Sequence, residues 1–343
     1  MCKNKECFCE HHHKPLPGTG GERYIPYSER NGEESVVYFT RELSDKGLLR
    51  IFDRLSENLH GKVAVKIHTG ERNGPNLVPT DWVKSLFDNR LDDKASIIET
   101  NTYYDGDRHS TENHRELLKV NGWTFCPVDI LDAEGGEMWE VKNGKWFDRI
   151  SIGGHLKNYD SFVNLTHFKG HTAGGFGGCN KNIGIGCADG LVGKAMIHST
   201  PGQDDMWDIA KEEFMERMCE STKAVTDHFK GSIIHINVMR NMSVSCDCEG
   251  IYAAPVVTPN VGILASVDIL AADQASVDMI YAMKEDYRRD LVERFETRHG
   301  LRQLSYMKEL GMGNDKYTLI DIDNNDQIIT AEKAVEEVVP FEG

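Results

Sequence analysis

The sequence predicts an α/β protein built on a mainly parallel sheet flanked by helices, and three observations carry that prediction. Short apolar runs alternate with stretches of helical periodicity, short loops join them, and no repeat of fixed period interrupts the alternation. A division into two α/β lobes, residues 35–150 and 151–320, with a cleft between them, is the alternative to a single body.

The elements follow in order. Residues 1–34 are polar and carry Pro15, Pro17, Gly18, Gly20 and Gly21, which predicts a flexible Cys/His-rich tail. Val36 to Phe39 reads as the first strand. Asp45 precedes Leu48, Leu49, Ile51, Phe52 and Leu55 at helical spacing, and Gly61 stops that helix before a strand at Val63–Ile67. Trp82–Phe87 predicts a helix, Ala95–Glu99 a strand, Thr111–Val120 a helix and Thr124–Ile130 a strand. Further strands are expected at Phe162–Leu165, Ser232–Val238 and Val261–Val267. Helices are expected over Asp205–Phe229, Asp273–Met283 and Asp286–Arg298, with residues 321–343 as a C-terminal extension.

Bulk properties narrow the function classes. The chain has 343 residues and a net charge of −16, a sign that repels phosphate backbones and argues against a nucleic-acid partner. No stretch approaches the roughly 20 apolar residues of a membrane span, and the polar start lacks the apolar core of a secretion signal, so a cytoplasmic protein is expected. Nine cysteines, an odd number, point to metal ligation or reactive thiols rather than a disulfide framework. The composition leaves an oligomer open.

Ligands of open α/β sheets bind beyond the carboxyl ends of the strands, and there the polar clusters fall: His68, Asn101 to His109, His167 to His171, and Cys246 with Cys248. The densest cluster runs from His167 to Cys187. Its glycines, among them Gly174, Gly175, Gly177 and Gly178, let backbone N–H groups approach an anion, and Lys169 and Lys181 could neutralise one. His167, Cys179 and Cys187 are candidate metal ligands. A tight glycine turn with histidines bonded to backbone is the plainer alternative. Glu99, at a strand end, is a candidate base or metal ligand, and its neighbourhood also reads as an Asx-rich helix cap. Cys246-Asp-Cys248 puts two thiolates near one ion but needs partners from elsewhere. The tail's Cys2, Cys7, Cys9 and His11–His13 are soft ligands without a recognisable spacing. Asp321-Ile-Asp323-Asn-Asn-Asp326 lacks the glycine and glutamate of a calcium loop and reads as a solvated turn.

Taken together, Lys66-Ile-His68-Thr-Gly-Glu71, Glu99-Thr-Asn101-Thr, Asp129-Ile-Leu-Asp132-Ala-Glu-Gly135, His167-Phe-Lys-Gly-His171 through Gly186, Cys246-Asp-Cys248 and Gly262 to Asp268 resemble the domain-of-unknown-function family 362. The resemblance spans about Ser35 to Leu319. Members are labelled iron–sulfur centre proteins, so it implies an iron–sulfur cluster or a divalent metal (Fe, Zn or Ni) without implying a reaction. The segment from His171 to Lys181 to His198 is also similar to nickel-pincer lactate racemases, as is Gly106-Asp-Arg108-His109, although Arg and His stand in exchanged order and Cys179-Asn180 replaces that family's residues before the lysine. That similarity implies His171 or His109 as acid/base groups, Lys181 as the cofactor's tether and His198 as a metal ligand.

Two functions of different class are therefore expected. One is a metal- or iron–sulfur-binding protein of redox or metal-handling role, an oxidoreductase with a redox partner. The other is a metal-dependent, isomerase-like enzyme acting on a small anionic ligand.

Overall fold

The computed structural model describes residues 21–91, 93–199 and 211–341. In chain order the elements are β1 (Glu34–Thr40), α1 (Asp45–Asp53), β2 (Val63–Lys66), α2 (Thr80–Asn89), β3 (Ala95–Glu99), α3 (Thr111–Val120), β4 (Val128–Ile130), β5 (Gly136–Glu140), β6 (Arg149–Gly153), β7 (Ser161–His167), β8 (Lys169–His171), β9 (Gly175–Gly177), α4 (Cys179–Gly184), α5 (Gly193–His198), α6 (Lys211–His228), β10 (Ile233–Met239), β11 (Gly262–Ser266), α7 (Ile269–Ala282), α8 (Glu285–Thr297), α9 (Arg302–Glu309), β12 (Lys316–Asp321), β13 (Gln327–Ile329) and α10 (Ala331–Val335).

Nine strands form one sheet in the order β13-β12-β1-β11-β10-β7-β2-β3-β4. Seven of them run the same way, and only β11 and β13 are reversed. The sheet is thus α/β and mostly parallel, as the alternation predicts. It crosses the expected lobe boundary at residues 150/151, because β7 pairs with β2 on one side and β10 on the other. The reversal of β11 was not legible, since an apolar run carries no direction.

The two faces are covered by different helices, which explains why the central strands are apolar throughout. Leu48, Ile51 and Phe52 of α1 and Val83, Leu86 and Phe87 of α2 pack on Val63, Val65, Ile97, Val163, Leu165 and Ile236. Met215 and Met218 of α6, Leu270 and Val277 of α7 and Phe295 of α8 belong to the cluster on the other face with Phe39, Ala64, Ile98 and Phe162. Helix starts follow local chemistry. Ser44 caps α1 by accepting from Gly47 N, Ser110 caps α3 by accepting from Asn113 N, and Asp268 caps α7 through Ala271 N. That Asp268 cap starts α7 four residues before the expected Asp273. Strand β4 is shorter than expected because Pro127 has no N–H to give the ladder.

Residues 21–33 and the segment from β13 to 341 join the body. Cys2, Cys7, Cys9 and His11–His13 lie outside the described residues. Further along the expected tail, the Arg30 guanidinium makes two 2.6 Å hydrogen bonds to the Asp278 carboxylate, and both side chains are 2 % exposed. Tyr24 stacks on Tyr281 beside this pair. At the other end, β13 extends the sheet and α10 buries Ala334 and Val335. In the Asp321–Asp326 turn residues 323–326 are exposed, and its carboxylates also meet arginines: Arg41 bonds the buried Asp321, Arg50 bonds Asp323 and Arg54 bonds Asp326.

Removing one partner of a buried ion pair leaves the other charge uncompensated. Arg30→Ala is therefore expected to cost about 3–5 kcal/mol of unfolding free energy, read by urea denaturation. A loss below about 1 kcal/mol, the range of exposed pairs, would mean that the segment before β1 does not hold the fold together.

Candidate metal centre and its cavity

The parallel strands β2, β3, β7 and β10 end on one edge of the sheet, and the chain segments that leave them build a single site. From β2 come Lys66 and His68, from β3 Glu99 and, after a loop, Arg108. Strand β7 delivers His167 and leads into the β8–β9 hairpin, which carries Lys169 and His171. Helix α4 supplies Lys181 and Asn182, and α5 supplies Lys194 and His198. These residues, with Cys248, line a cavity of about 90 Å³ measured to water centres. Five of the lining side chains are cationic (Lys66, Arg108, Lys169, Lys181, Lys194) and one is a carboxylate, Glu99.

The ligating atoms of His171, Cys246 and Cys248 lie within 4.8 Å of one another, the only such group among the described residues. The segment after β10 is pinned there by its acidic residues. Asp247 accepts from His167 Nδ1 at 2.9 Å and forms a 3.0 Å ion pair with Lys169. Glu249 accepts from Thr172 Oγ1, Ser245 Oγ and Cys246 N, at 2.7, 2.8 and 2.9 Å. The Cys-Asp-Cys turn is thereby locked to the hairpin that carries His171. Lys181 Nζ stands 3.5 Å from Cys246 Sγ. Burial alone would raise the Cys246 thiol, but the hydrogen bond from Cys248 and the Lys181 charge outweigh it and hold Cys246 well below the ordinary thiol range. Cys248 is pushed well above that range, first by donating to Cys246 and then by burial. The pair is one thiolate and one thiol. Burial alone would lower Lys181; Cys246, Cys248 and Asp247 keep it an ammonium.

Two sulfurs and an imidazole suit a borderline or soft ion rather than magnesium or calcium, which seek oxygen. Three protein ligands also fall one short of a closed tetrahedral site, leaving a coordination position open. The donor set therefore fits one transition-metal ion. It does not assemble the four cysteines of a common iron–sulfur cluster, because the other described cysteines lie elsewhere. Cys179 is buried with its thiol on Asn237 Oδ1, and burial raises it well above the ordinary range; burial likewise pushes Cys187 up to about 12.

Several other expected site residues have different neighbours from those the motifs suggested. His167 has both ring nitrogens engaged, by Asp247 and by the Arg240 carbonyl at 2.6 Å, so it has none left for a metal. His198 lines the cavity, where burial lowers it to about 4, and its Nδ1 bonds the Lys194 carbonyl at 2.8 Å. His109 is exposed at the rim, with Nδ1 on the Thr102 carbonyl, and its neighbour Arg108 reaches the cavity instead. Glu99 is saturated by Lys66 Nζ at 2.8 Å, Thr69 N at 2.9 Å and Thr69 Oγ1 at 3.0 Å. Burial alone would raise it; Lys66 and His68 hold it well below the usual carboxylate range, so it is a fixed anion and not a base near neutral pH. His171 accepts from Gly174 N at 2.7 Å, and burial lowers its value.

The glycines serve packing more than a nest. Gly175 has φ +74° and faces the Gly300 backbone at 2.6 Å from where a Cβ would sit, while a Cβ on Gly178 would lie 2.4 Å from Asp273 Oδ1. Only Gly177 and Gly178 of the four line the cavity. The close approach at Gly178 has a purpose. Helix α4 has no cap of its own, and the Asp273 carboxylate of α7 accepts from Cys179 N at 2.6 Å and Asn180 N at 2.9 Å.

Sequence reading missed Lys66, Arg108, Lys194 and Asp247. The available signal was a lysine inside the otherwise apolar Val63–Ile67 run, which a buried strand tolerates only with a partner.

The fold and site define an α/β protein with a His171, Cys246 and Cys248 corner that could hold a metal ion, beside a cavity lined by cations. The family model for the domain of unknown function DUF362 matches residues 63–278, and the chain belongs to that family. No curated protein matches it. Among solved structures, the lactate racemase apoprotein from Thermoanaerobacterium thermosaccharolyticum is similar at 13 % identity and a TM-score of 0.35, covering 88 % of this chain and 90 % of that chain. No helix among the described residues is long and apolar enough to cross a membrane.

Burial pushes Asp273 up from 3.8 to about 6, against the pull of the Asn180, Asn237 and Cys179 hydrogen bonds. The folded chain then holds this proton more tightly than the unfolded chain. Its contribution to stability is complete below pH 3.8 and is lost as pH rises through about 6. Urea midpoints measured across that window should show this fall in the wild type and not in Asp273→Asn. An identical slope in both chains would mean that Asp273 is not the group responsible.

Proposed function

We propose that this chain binds one divalent transition-metal ion through His171, Cys246 and Cys248, and that the bound ion acts on a small anion held in the adjoining cavity. That makes the protein a metal-dependent enzyme of the isomerase or oxidoreductase type. The observation that carries the reading is the meeting of three soft ligands with a buried cavity lined by five cations and one carboxylate. A bound ion would supply Lewis-acid polarisation at its open position. The protein's own groups would do the rest. Arg108, fixed by Glu71 Oε1 at 2.7 Å and Tyr104 Oη at 2.8 Å, presents a preorganised cation to an oxyanion. His68 turns Nδ1 toward Gly70 N and Arg108 Nη1, both at 3.4 Å, while its Nε2 is buried without a protein partner. Lys181 stabilises the thiolate that ligates the ion. The overall negative charge of the chain makes this local excess of cations the more specific, because it must attract its ligand against the field of the rest of the surface.

Elemental analysis and an ultraviolet–visible spectrum of untagged protein purified without oxygen test the reading. About one zinc, nickel or iron per chain without acid-labile sulfide is expected, with loss of the metal in the Cys246→Ser, Cys248→Ser double variant. Iron with matching sulfide would replace the mononuclear ion by a cluster and favour electron transfer. A metal-free protein that also fails to take up zinc would overturn the proposal.

A further inference from the structure

The metal ligands occupy one corner of the cavity, and a lysine elsewhere in its wall has been given no role there beyond its charge. Lys194 is 5 % exposed and rises from α5 into the cavity lining. Each of the other lining cations has an anion of its own. Lys66 is paired with Glu99 at 2.8 Å, Lys169 with Asp247 at 3.0 Å and Arg108 with Glu71 at 2.7 Å, while Lys181 sits against the Cys246 sulfur. Lys194 has no carboxylate within ion-pair distance among the described residues. Its Nζ is held by Thr100 Oγ1 at 2.6 Å and by the Asn101 carbonyl, both uncharged. A lysine nitrogen has three bonding directions besides its carbon, so one remains on a residue that faces the cavity.

A buried amine beside other cations and without a counter-ion is disposed to be a free base, and a free amine is a nucleophile toward carbonyl carbon. Burial brings Lys194 down to about 8, with Arg108 and Lys66 pressing the same way and Asp132 and Glu99 opposing them, so a minority of the amine is free at neutral pH and the share grows as pH rises. Its hydrogen bonds to Thr100 and Asn101 fix the nitrogen while leaving the third direction open. The cavity admits only a ligand of few heavy atoms, and its cations select an anion. Small anions that an amine can capture are oxo acids.

We propose that Lys194 is a covalent capture site, whose amine forms an imine with the carbonyl carbon of a small 2-oxo acid seated in the cavity. The nitrogen lone pair adds to the carbonyl carbon and a C–N bond forms. The carbon–oxygen bond then breaks, and the oxygen leaves as water with the two amine hydrogens; no electrons are exchanged. The carboxylate is received by Arg108 and by the partnerless Nε2 of His68. This rests on the cavity's being a small-anion site and is independent of whether a metal is bound.

Borohydride trapping with pyruvate tests it, since hydride reduces an imine to a stable secondary amine that peptide mass spectrometry can locate. One 1-carboxyethyl adduct on Lys194 is expected, and its loss in Lys194→Arg, which keeps the charge and can keep both hydrogen bonds. Should that variant fail to fold, peptide mapping of the wild type alone still locates the adduct. Calorimetry with pyruvate reads the anion site separately. Pyruvate binding without an adduct would overturn the imine and leave the anion site standing. Adducts only on exposed lysines or on Lys181 would overturn it as well, and absence of binding would remove the anion site and the imine together. Metal content of the same sample reports on the metal corner independently.

Discussion

The cost of keeping charge out of water governs this structure. Five cations surround one small cavity, and an isolated buried charge is expensive enough that a protein neutralises or pairs it. The fold meets that cost by giving each strand end its own anion. Glu99 at the end of β3 answers Lys66 at the end of β2, across the parallel pairing of those strands. Asp247 answers Lys169 and binds His167, and Glu71 answers Arg108. These pairs do more than balance charge. Each links segments far apart in sequence, so the edge of the sheet becomes a rigid rim and not a set of independent loops. Lys194, left without such a partner, is the exception against which the others can be recognised.

Behind the rim a second buried polar system fixes α4. The Asp273 carboxylate stands at the start of that helix in place of a local cap, and Asn237 Nδ2 donates to it at 2.9 Å. Asn182 on the same helix donates to Asn164 Oδ1 at 2.8 Å, which ties α4 to β7. A helix of six residues has little stability of its own. Its position, and with it the position of Lys181 beside Cys246, is therefore set by α7 and the central strands. The raised carboxyl of Asp273 is the price of that arrangement: two backbone donors and a side-chain amide favour the ionised form, and complete burial opposes them.

Much of the fold was legible because its signal is local. Apolar runs of strand length separated by helical periodicity placed β1, β2, β3, β7, β10, α1, α2 and α3 within a few residues. The β5–β6 hairpin was missed because Gly136–Glu140 is largely exposed and carries no apolar run, and α4 and α5 because six residues are too few to show a period. In the site, the Cys246/Cys248 pair, His171, Lys169 and Lys181 stood out through motif density. What could not be read was which of the crowded ligands meet. His167 ends β7 and His171 stands four residues on, yet one is spent on Asp247 while the other faces the two cysteines. Cys179 and Cys187 flank a helix whose packing sends both thiols away from the ligand corner. Such partitions depend on side-chain direction after several chain reversals, which spacing alone does not encode.

The glycine-rich segment makes the same point about function. A nest of backbone N–H groups would recognise an anion by local geometry and would be visible as a motif. Here the glycines mainly let chains pass: Gly175 against Gly300, Gly178 against Asp273, and Gly186, where a Cβ would stand 2.2 Å from Lys66 Cε. The cavity itself is lined by long cationic side chains that arrive from separate segments, Lys66, Arg108, Lys169, Lys181 and Lys194. The proposed anion site would thus be assembled by the sheet rather than by a loop, so its charge can be preorganised in a buried place without any one segment announcing it. It also follows that the ligand's class is written in what the pairs leave over. The cations held by Glu99 and Asp247 mainly hold the rim, whereas Lys194 and the Nε2 of His68, with Arg108 beside them, are the groups proposed to meet a ligand.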